Sequence, residues 1–506
     1  MNKKVLILLY IIIGTATLVN VSTAEALESK LETDIKPNHP RLSEHLRHTE
    51  PNILTARHDS VYLDSLIDTL MAQYHIPGLA ACAIKNGEII WTGSYGYANF
   101  AQNIEVGDTT LFMLASISKT VTGVALMQVW ERGLFELDNN INDYLPFAVH
   151  NYFFPDSVIT FRMLLAHTSS INDNWTILNP LAVLGDSPIA LGEFLEDYLI
   201  PGGAYYDTLN FNNWSPGIGY DYCNVAAALA GYLVEAIEDS FPTYCRDSLF
   251  TPLSMNETSW FLAGLDINNV AMPYYYSGGT HHAYGHWGHP MYPAFQLRTS
   301  TLQLARYLIA FMQYGEIDTV RILDSTTVEL MTTVQNPSIH PNQGLFWYRD
   351  YVDGKELWGH NGSTAGFETR MYYCPAETTA AIILTNGESS VGVDLILPEL
   401  FEYAAEYGIA EMEEYSLKSQ AVSLQQNRPN PFNRTTTFRF DLPAACYVEL
   451  NVYNVLGQKV FTLVDGKLNA NEHSIAFDAQ SLPSGVYYYQ LRAGDIVQTK
   501  RCVLLR

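Results

Sequence analysis

The chain has 506 residues, 48% apolar and 16% charged, with 28 Lys and Arg against 53 Asp and Glu, a net charge of −25. This composition excludes a disordered chain and leaves length for two or three domains with a large core. Such acidity also excludes a polyanion-binding surface, which needs Lys and Arg against phosphate, so no nucleic-acid partner is expected.

Residues 1–26 carry +1 and residues 426–506 carry +3, which leaves −29 for residues 27–425. Lys3 and Lys4 precede the apolar run 5–13, and small-x-small triplets follow at 22–24 and 24–26, the pattern of a cleaved secretory signal. No later run is long and apolar enough to span a bilayer, so a mature protein without a transmembrane segment is expected. The six cysteines show no CxxC spacing, which favours buried thiols over a disulfide framework or a zinc site.

Residues 27–60 read as a polar leader with Pro37, Pro40 and Pro51. From Leu63, apolar residues at Leu66, Ile67, Leu70 and Met71 predict a helix that stops at Pro77 and Gly78. Two strands hinged at Asn86-Gly87 come next. The stretch 118–132 reads as a helix with little polar surface, hence a central buried one. Residues 160–265 read as mostly helical with long loops, and 274–292 as an irregular loop rich in Tyr, Gly and His. A helix near 302–314 leads into antiparallel strands broken at Asp353-Gly354 and Pro375-Ala376, then a closing helix near 395–407. The predicted fold class is α/β (α+β): an antiparallel sheet flanked by helices with a helical subdomain, spanning 61–410. A polar linker, 411–425, and a small all-β sandwich, 426–506, follow it.

Three motifs carry chemistry. Ser116 and Lys119 form the only S-x-x-K; three residues apart on a helix, they share a face, so the amine can activate the hydroxyl. Tyr222-Cys223-Asn224 offers a phenol to relay a proton and an amide to hold a substrate carbonyl. Tyr97-Ala98-Asn99 also fits Y-x-N, but it precedes the serine. His360-Asn361-Gly362 ends a strand, where the glycine would let a substrate approach and the Ser363 N–H could join the Ser116 N–H as an oxyanion hole. His286-Trp287-Gly288 is a rival without a following strand pair.

In this order and spacing, the motifs resemble those of the penicillin-recognising serine hydrolases, which include class C β-lactamases, D-Ala-D-Ala carboxypeptidases, D-aminopeptidases and related esterases. The segments ITFRMLLAHTSSI, FTPLSMNETSWF and LRTSTLQLARYLIAF extend the resemblance over about residues 60–410. It implies Ser116 as acylated nucleophile, Lys119 as its base, Tyr222 as proton relay, Asn224 as substrate anchor, and His360, Gly362 and Ser363 as the substrate-binding edge. No cofactor is implied. His360 departs from the lysine common at that position, which makes uncharged esters or amides more plausible than carboxylate-bearing β-lactams. Arg349 could restore the charge, though facing solvent is its plainer role. Ser170 replaces a usual glycine, and Cys223 a usual serine or alanine.

His281, His282, His286 and His289 lie within nine residues, but no carboxylate or thiol accompanies them, so no metal is assigned. The segments RPNPFNRTTTFRFDLP, VYNVLGQKVFTLVDG and LPSGVYYYQLRAG resemble the type A sorting domain of the type IX secretion system. This implies the secretion machinery as a partner and an extracellular or outer-surface location in a Gram-negative bacterium. The expected protein is thus a secreted serine hydrolase acting on a small-molecule or short-peptide amide, ester or β-lactam. The alternative is a catalytically silent surface protein that binds wall peptides on the same fold.

Overall fold

The computed structural model describes residues 60–407, 422–442, 445–494 and 496–505; the predicted signal, leader and most of the linker lie outside the described residues. The chain divides into two compact units between Ala405 and Glu406. In the first, helix α1 (Ser60–Tyr74) buries Leu63, Ile67, Leu70 and Met71, one stripe at helical spacing. Strands β1 (Gly78–Lys85) and β2 (Glu88–Asn99) are joined by Asn86 and Gly87, both at positive φ (52° and 80°), as a tight two-residue hairpin turn requires.

Helix α2 (Ser118–Glu131) is buried on every side from Ser118 to Met127, and α3 (Asn224–Ile237) is nearly as enclosed. Helix α4 (Thr301–Met312) precedes strands β3 (Tyr348–Val352), β4 (Lys355–Thr364), β5 (Phe367–Cys374) and β6 (Thr379–Thr385), and α5 (Ser390–Glu406) closes the unit. The sheet runs β3-β4-β5-β6-β1-β2 and then the short strand Ile104–Glu105, with every neighbouring pair antiparallel.

The period of two along each strand separates two cores. Leu79, Ala81 and Ala83 of β1 face the layer of α1 and α5, whereas Ala80, Cys82 and Ile84 face the larger core around α2. A sheet covered on both faces explains why every residue of β5 and β6, and all of β1 but Lys85, is buried.

Several boundaries differ from the sequence reading. The Tyr- and His-rich stretch holds a hairpin, Tyr274–Ser277 with Thr280–Ala283, turned by Gly278 and Gly279 at positive φ. Residues 344–347 precede the sheet because Leu345 and Phe346 donate their N–H groups to the Met331 and Leu165 carbonyls instead of to a strand. The closing helix starts at Ser390 and carries Pro398 inside it. The predicted linker is too long: Ser423–Leu424 pairs with Asp441 and Phe440, and Val422 and Leu424 are buried.

The second unit packs two sheets around one core. Ser423–Leu424, β7 (Thr435–Leu442) and β10 (Asn471–Asp478) form one sheet. The other runs β9-β8-β11-β12, from β8 (Cys446–Tyr453), β9 (Lys459–Leu468), β11 (Gly485–Ala493) and β12 (Ile496–Leu504). Phe438, Phe440, Leu450, Tyr489 and Leu491 fill the space between them, a sandwich core. All six cysteines are free, and only Cys446 is not fully buried. Among the described residues, no helix is long and apolar enough to cross a membrane.

A charged group lies between β5 and α5. Arg370 meets Glu368 at 3.1 Å and Asp394 at 2.7 Å, and the Arg370 and Glu368 side chains are only 4% and 6% exposed. Burial raises the Glu368 carboxyl to about 7 despite Arg370. Removing the cation would strand two carboxylates in a poorly solvated layer. Arg370→Met is therefore expected to lower the unfolding free energy by about 3–5 kcal/mol in chemical denaturation; a loss under about 1 kcal/mol, the range of a surface pair, would contradict this.

Candidate active site

Ser116 lies in a single 3-10 turn, Ala115–Ile117, that runs directly into α2. Ala115 takes φ +48°, a left-handed value that a residue with a Cβ resists. The neighbouring structure fixes this turn. The Leu114 N–H donates to the Leu297 carbonyl at 2.8 Å, the Leu114 carbonyl accepts from the Thr369 hydroxyl at 2.8 Å, and the Ser118 hydroxyl accepts from the Leu297 N–H at 3.1 Å.

Strand β4 passes so close to this turn that a Cβ on Gly362 would overlap Thr369 Oγ1 and the Leu114 carbonyl and lie 2.9 Å from Ala115 Cβ. The glycine is thus required by packing against the nucleophile turn, a different reason from the substrate approach expected of it. Strand β3 pairs with β4 only as far as Gly359, so the β4 edge from His360 to Thr364 has no strand on that side.

Lys119 is completely buried. Its Nζ lies 3.1 Å from Ser116 Oγ, 2.7 Å from Asn224 Oδ1 and 2.9 Å from the Ala294 carbonyl. It also sits 4.6 Å from the centre of the Tyr222 ring. Burial lowers the amine to about 7, with Asp173 and Cys223 opposing the shift. A neutral amine has two N–H bonds and one lone pair. The Asn224 and Ala294 oxygens can only accept, so they take the two N–H bonds; Ser116, the one neighbour able to donate, receives the lone pair.

Burial holds the Tyr222 phenol well above the ordinary tyrosine value, with Ser116 opposing the shift, so it stays protonated. Its ring lies 4.4 Å from that of His167 and 6.1 Å from that of His360. His360 is buried, and its Nδ1 lies 2.5 Å from the Asn361 carbonyl. That oxygen only accepts, so Nδ1 carries a proton. Ser363 donates its hydroxyl to Glu368 Oε1 at 2.5 Å, which leaves its backbone as the group available to the open edge.

The predicted site residues therefore converge, with one qualification. Asn224 is completely buried, its Oδ1 taken by Lys119 and one Nδ2–H by Asp173 at 2.8 Å, so only its second Nδ2–H is left for a substrate. Sequence reasoning missed Asp173, His167 and the Ala294 carbonyl. His167 lies inside the quoted segment ITFRMLLAHTSSI and Asp173 two residues beyond its end, and that segment served only to extend the resemblance, whereas a main-chain carbonyl leaves no side-chain signal. Ser170, at φ +61°, explains the usual glycine there. Cys223 caps α3, its Sγ accepting the Ala226 N–H at 3.2 Å.

The rival motifs lie elsewhere. Tyr97 is on β2, four strands from β4, and Trp287–Gly288 pairs with Val183–Leu184 outside the main sheet. Arg349 is held on the outer edge by the Pro341 carbonyl at 2.8 Å and Glu356 at 3.6 Å. Three of the four histidines have separate partners: His281 the His75 carbonyl, His282 the Ser277 carbonyl and Thr280, and His289 the Leu178 carbonyl and the Met291 N–H. Burial, with Arg298 adding to it, lowers His286 to about 4. Among the described residues, no three His, Cys, Asp or Glu are placed to hold a metal.

Comparison with known proteins agrees with this fold. Protein flp of Staphylococcus aureus (strain MW2) is 24% identical over 351 residues, 67% of this chain and 65% of flp, so the match spans about two thirds of that relative's length. Two solved structures share the fold at a TM-score of 0.53. The D-alanine carboxypeptidase AmpC of Burkholderia cenocepacia is 22% identical, covering 68% of this chain and 99% of its own. The D-amino acid amidase of Ochrobactrum anthropi SV3 is 19% identical, covering 70% and 99%. Residues 428–505 match the secretion system C-terminal sorting domain, which implies interaction with the type IX machinery and marks the protein for the extracellular space or cell surface of a Gram-negative bacterium. Residues 63–404 match the β-lactamase family, about two thirds of the chain, and the chain belongs to that family.

Proposed function

We propose that the protein is a secreted serine hydrolase that cleaves a small amide or ester through an acyl-enzyme on Ser116. The observation that carries this reading is the set of three contacts around the buried Lys119 amine. In the proposed reaction, Ser116 Oγ attacks the carbonyl carbon as its proton passes to Lys119, and the carbonyl oxygen becomes an oxyanion. The Ser116 and Ser363 N–H groups are the proposed donors to that oxygen. Collapse expels the leaving amine or alkoxide, to which the Tyr222 phenol relays a proton, and water then attacks the acyl-enzyme by the reverse route.

His360 supports substrates without a carboxylate at that subsite, because a neutral imidazole offers no fixed positive charge. Two solved relatives are named for D-alanine carboxypeptidase and D-amino acid amidase activities, which supports a D-amino-acid amide, ester or short peptide as the substrate class. A silent binding protein would have no use for a lysine buried at neutral charge beside a serine, so the enzyme is the favoured reading.

A fluorophosphonate probe is expected to label the folded protein and not the Ser116→Ala variant; unlabelled wild-type protein in a folded state would sink the proposal. Since Lys119 must be neutral to accept the proton, and burial lowers it to about 7, p-nitrophenyl ester acylation should rise with pH through about 7 and then level off. A rate that is flat or falls across that range would contradict Lys119 as the base. His360→Lys is expected to move kcat/KM from uncharged esters towards carboxylate-bearing substrates by about tenfold or more, the scale of one gained charge contact; an unchanged ratio would remove His360 from substrate selection.

A further inference from the structure

Asp173 lies behind the second motif, 8% exposed, and receives four donors. Its Oδ2 accepts the Asn224 N–H and Nδ2–H, both at 2.8 Å. Its Oδ1 accepts the Val225 N–H at 3.0 Å and the Cys223 S–H at 3.2 Å. A carboxylate has about four lone-pair sites, so these contacts fill it and fix its position. Two of the donors are the first N–H groups of α3, where a negative charge is favoured by the helix end.

We infer that Asp173 is a positioning residue whose carboxylate sets the orientation of the Asn224 amide and, through it, aims the Lys119 lone pair at Ser116. The inference rests on the proposed acyl-enzyme reading. Ionised Asp173 can only accept, so the Asn224 NH2 must face it and Oδ1 must face Lys119. The reversed amide would set Oδ1 against a carboxylate oxygen 2.8 Å away, a repulsive contact between buried groups, and would offer an N–H to the Lys119 lone pair, turning it away from Ser116. With Oδ1 fixed, one Lys119 N–H is held there and the other by the Ala294 carbonyl, and Ser116 is the only partner left for the lone pair.

The polar groups facing the Lys119 amine are Ser116, the Tyr222 ring, Cys223, the Asn224 amide, the Ala294 carbonyl and, through Asn224, Asp173. Of these, ionised Asp173 is the negative charge that opposes the effect of burial on the amine. Neutralising it removes a stabiliser of the ammonium, so the amine loses its proton at lower pH. Catalysis should then combine a lower maximum, from a misdirected base, with an acid limb displaced to lower pH. A merely structural defect would reduce the maximum and leave the limb in place.

The test is the pH dependence of fluorophosphonate labelling of the full chain, with folding checked by near-ultraviolet circular dichroism. Asp173→Asn is expected to cut the plateau rate by about tenfold or more and to move the acid limb to lower pH. Asp173→Glu, which keeps the charge but displaces the oxygens, should cut the rate and leave the limb near that of wild type. A wild-type profile in Asp173→Asn, or a slower one with an unmoved limb, overturns the inference. If Asp173→Asn does not fold, Asp173→Ser, which removes the same charge, is read by the same criteria: a loss of about tenfold or more with the limb moved to lower pH supports the inference, and a wild-type rate or an unmoved limb overturns it. Wild-type protein that does not label at all refutes the acyl-enzyme reading itself, whereas a labelled wild type with indifferent Asp173 variants refutes the positioning role alone.

Discussion

The site depends on a lysine that folding has deprived of water. A solvated lysine is an ammonium near neutral pH and has no lone pair to offer a serine. Enclosing Lys119 within α2 and against α3 penalises the charge, and the surrounding oxygens divide the roles of what remains. Two obligate acceptors hold the amine's hydrogens, and a hydroxyl stands at the third position. Direction, as much as proton affinity, fits this amine to the proposed role of base.

The rest of the first unit reads as the support for that arrangement. Ser116 sits after a left-handed alanine, a conformation that persists because Leu114 is tied to Leu297 on one side and to Thr369 of β5 on the other. Gly362 lets β4 close on the same turn. Nucleophile turn and substrate edge are thus one packed object, and the buried Glu368–Arg370–Asp394 group fixes the opposite face of that sheet. Such a group is a poor contributor to stability in itself, but breaking it is costly, which makes it suited to holding register.

Much of this was legible in the sequence because it is carried by local pattern. The Asn86-Gly87 turn, the apolar-rich α2, the strand break at Asp353-Gly354 and the S-x-x-K spacing are each determined by a few adjacent residues. What was not legible depends on contacts remote in the chain. Asp173 is some fifty residues from the motif it orients, and the Ala294 carbonyl has no identity in sequence at all. The Tyr- and His-rich hairpin was hidden because its Gly278-Gly279 turn lies among residues that suggest a loop, and the linker boundary because Val422 and Leu424 show their alternation only beside β7. Gly362 was singled out for substrate approach, whereas the constraint the fold shows on it, overlap with the Leu114 carbonyl, is remote in the chain.

Around the buried amine stand a hydroxyl, a phenol, an imidazole, an amide and, behind the amide, the Asp173 carboxylate, and burial governs this site more than the net charge of residues 27–425 does. The most direct test is therefore to observe the amine itself. A 13C-NMR titration of the Lys119 ε-carbon in the intact protein, assigned with Lys119→Arg, is expected to give a midpoint near 7, as its burial requires. A midpoint near the ordinary lysine value of about 10.4 would mean that the amine is charged in the folded protein and cannot serve as the base.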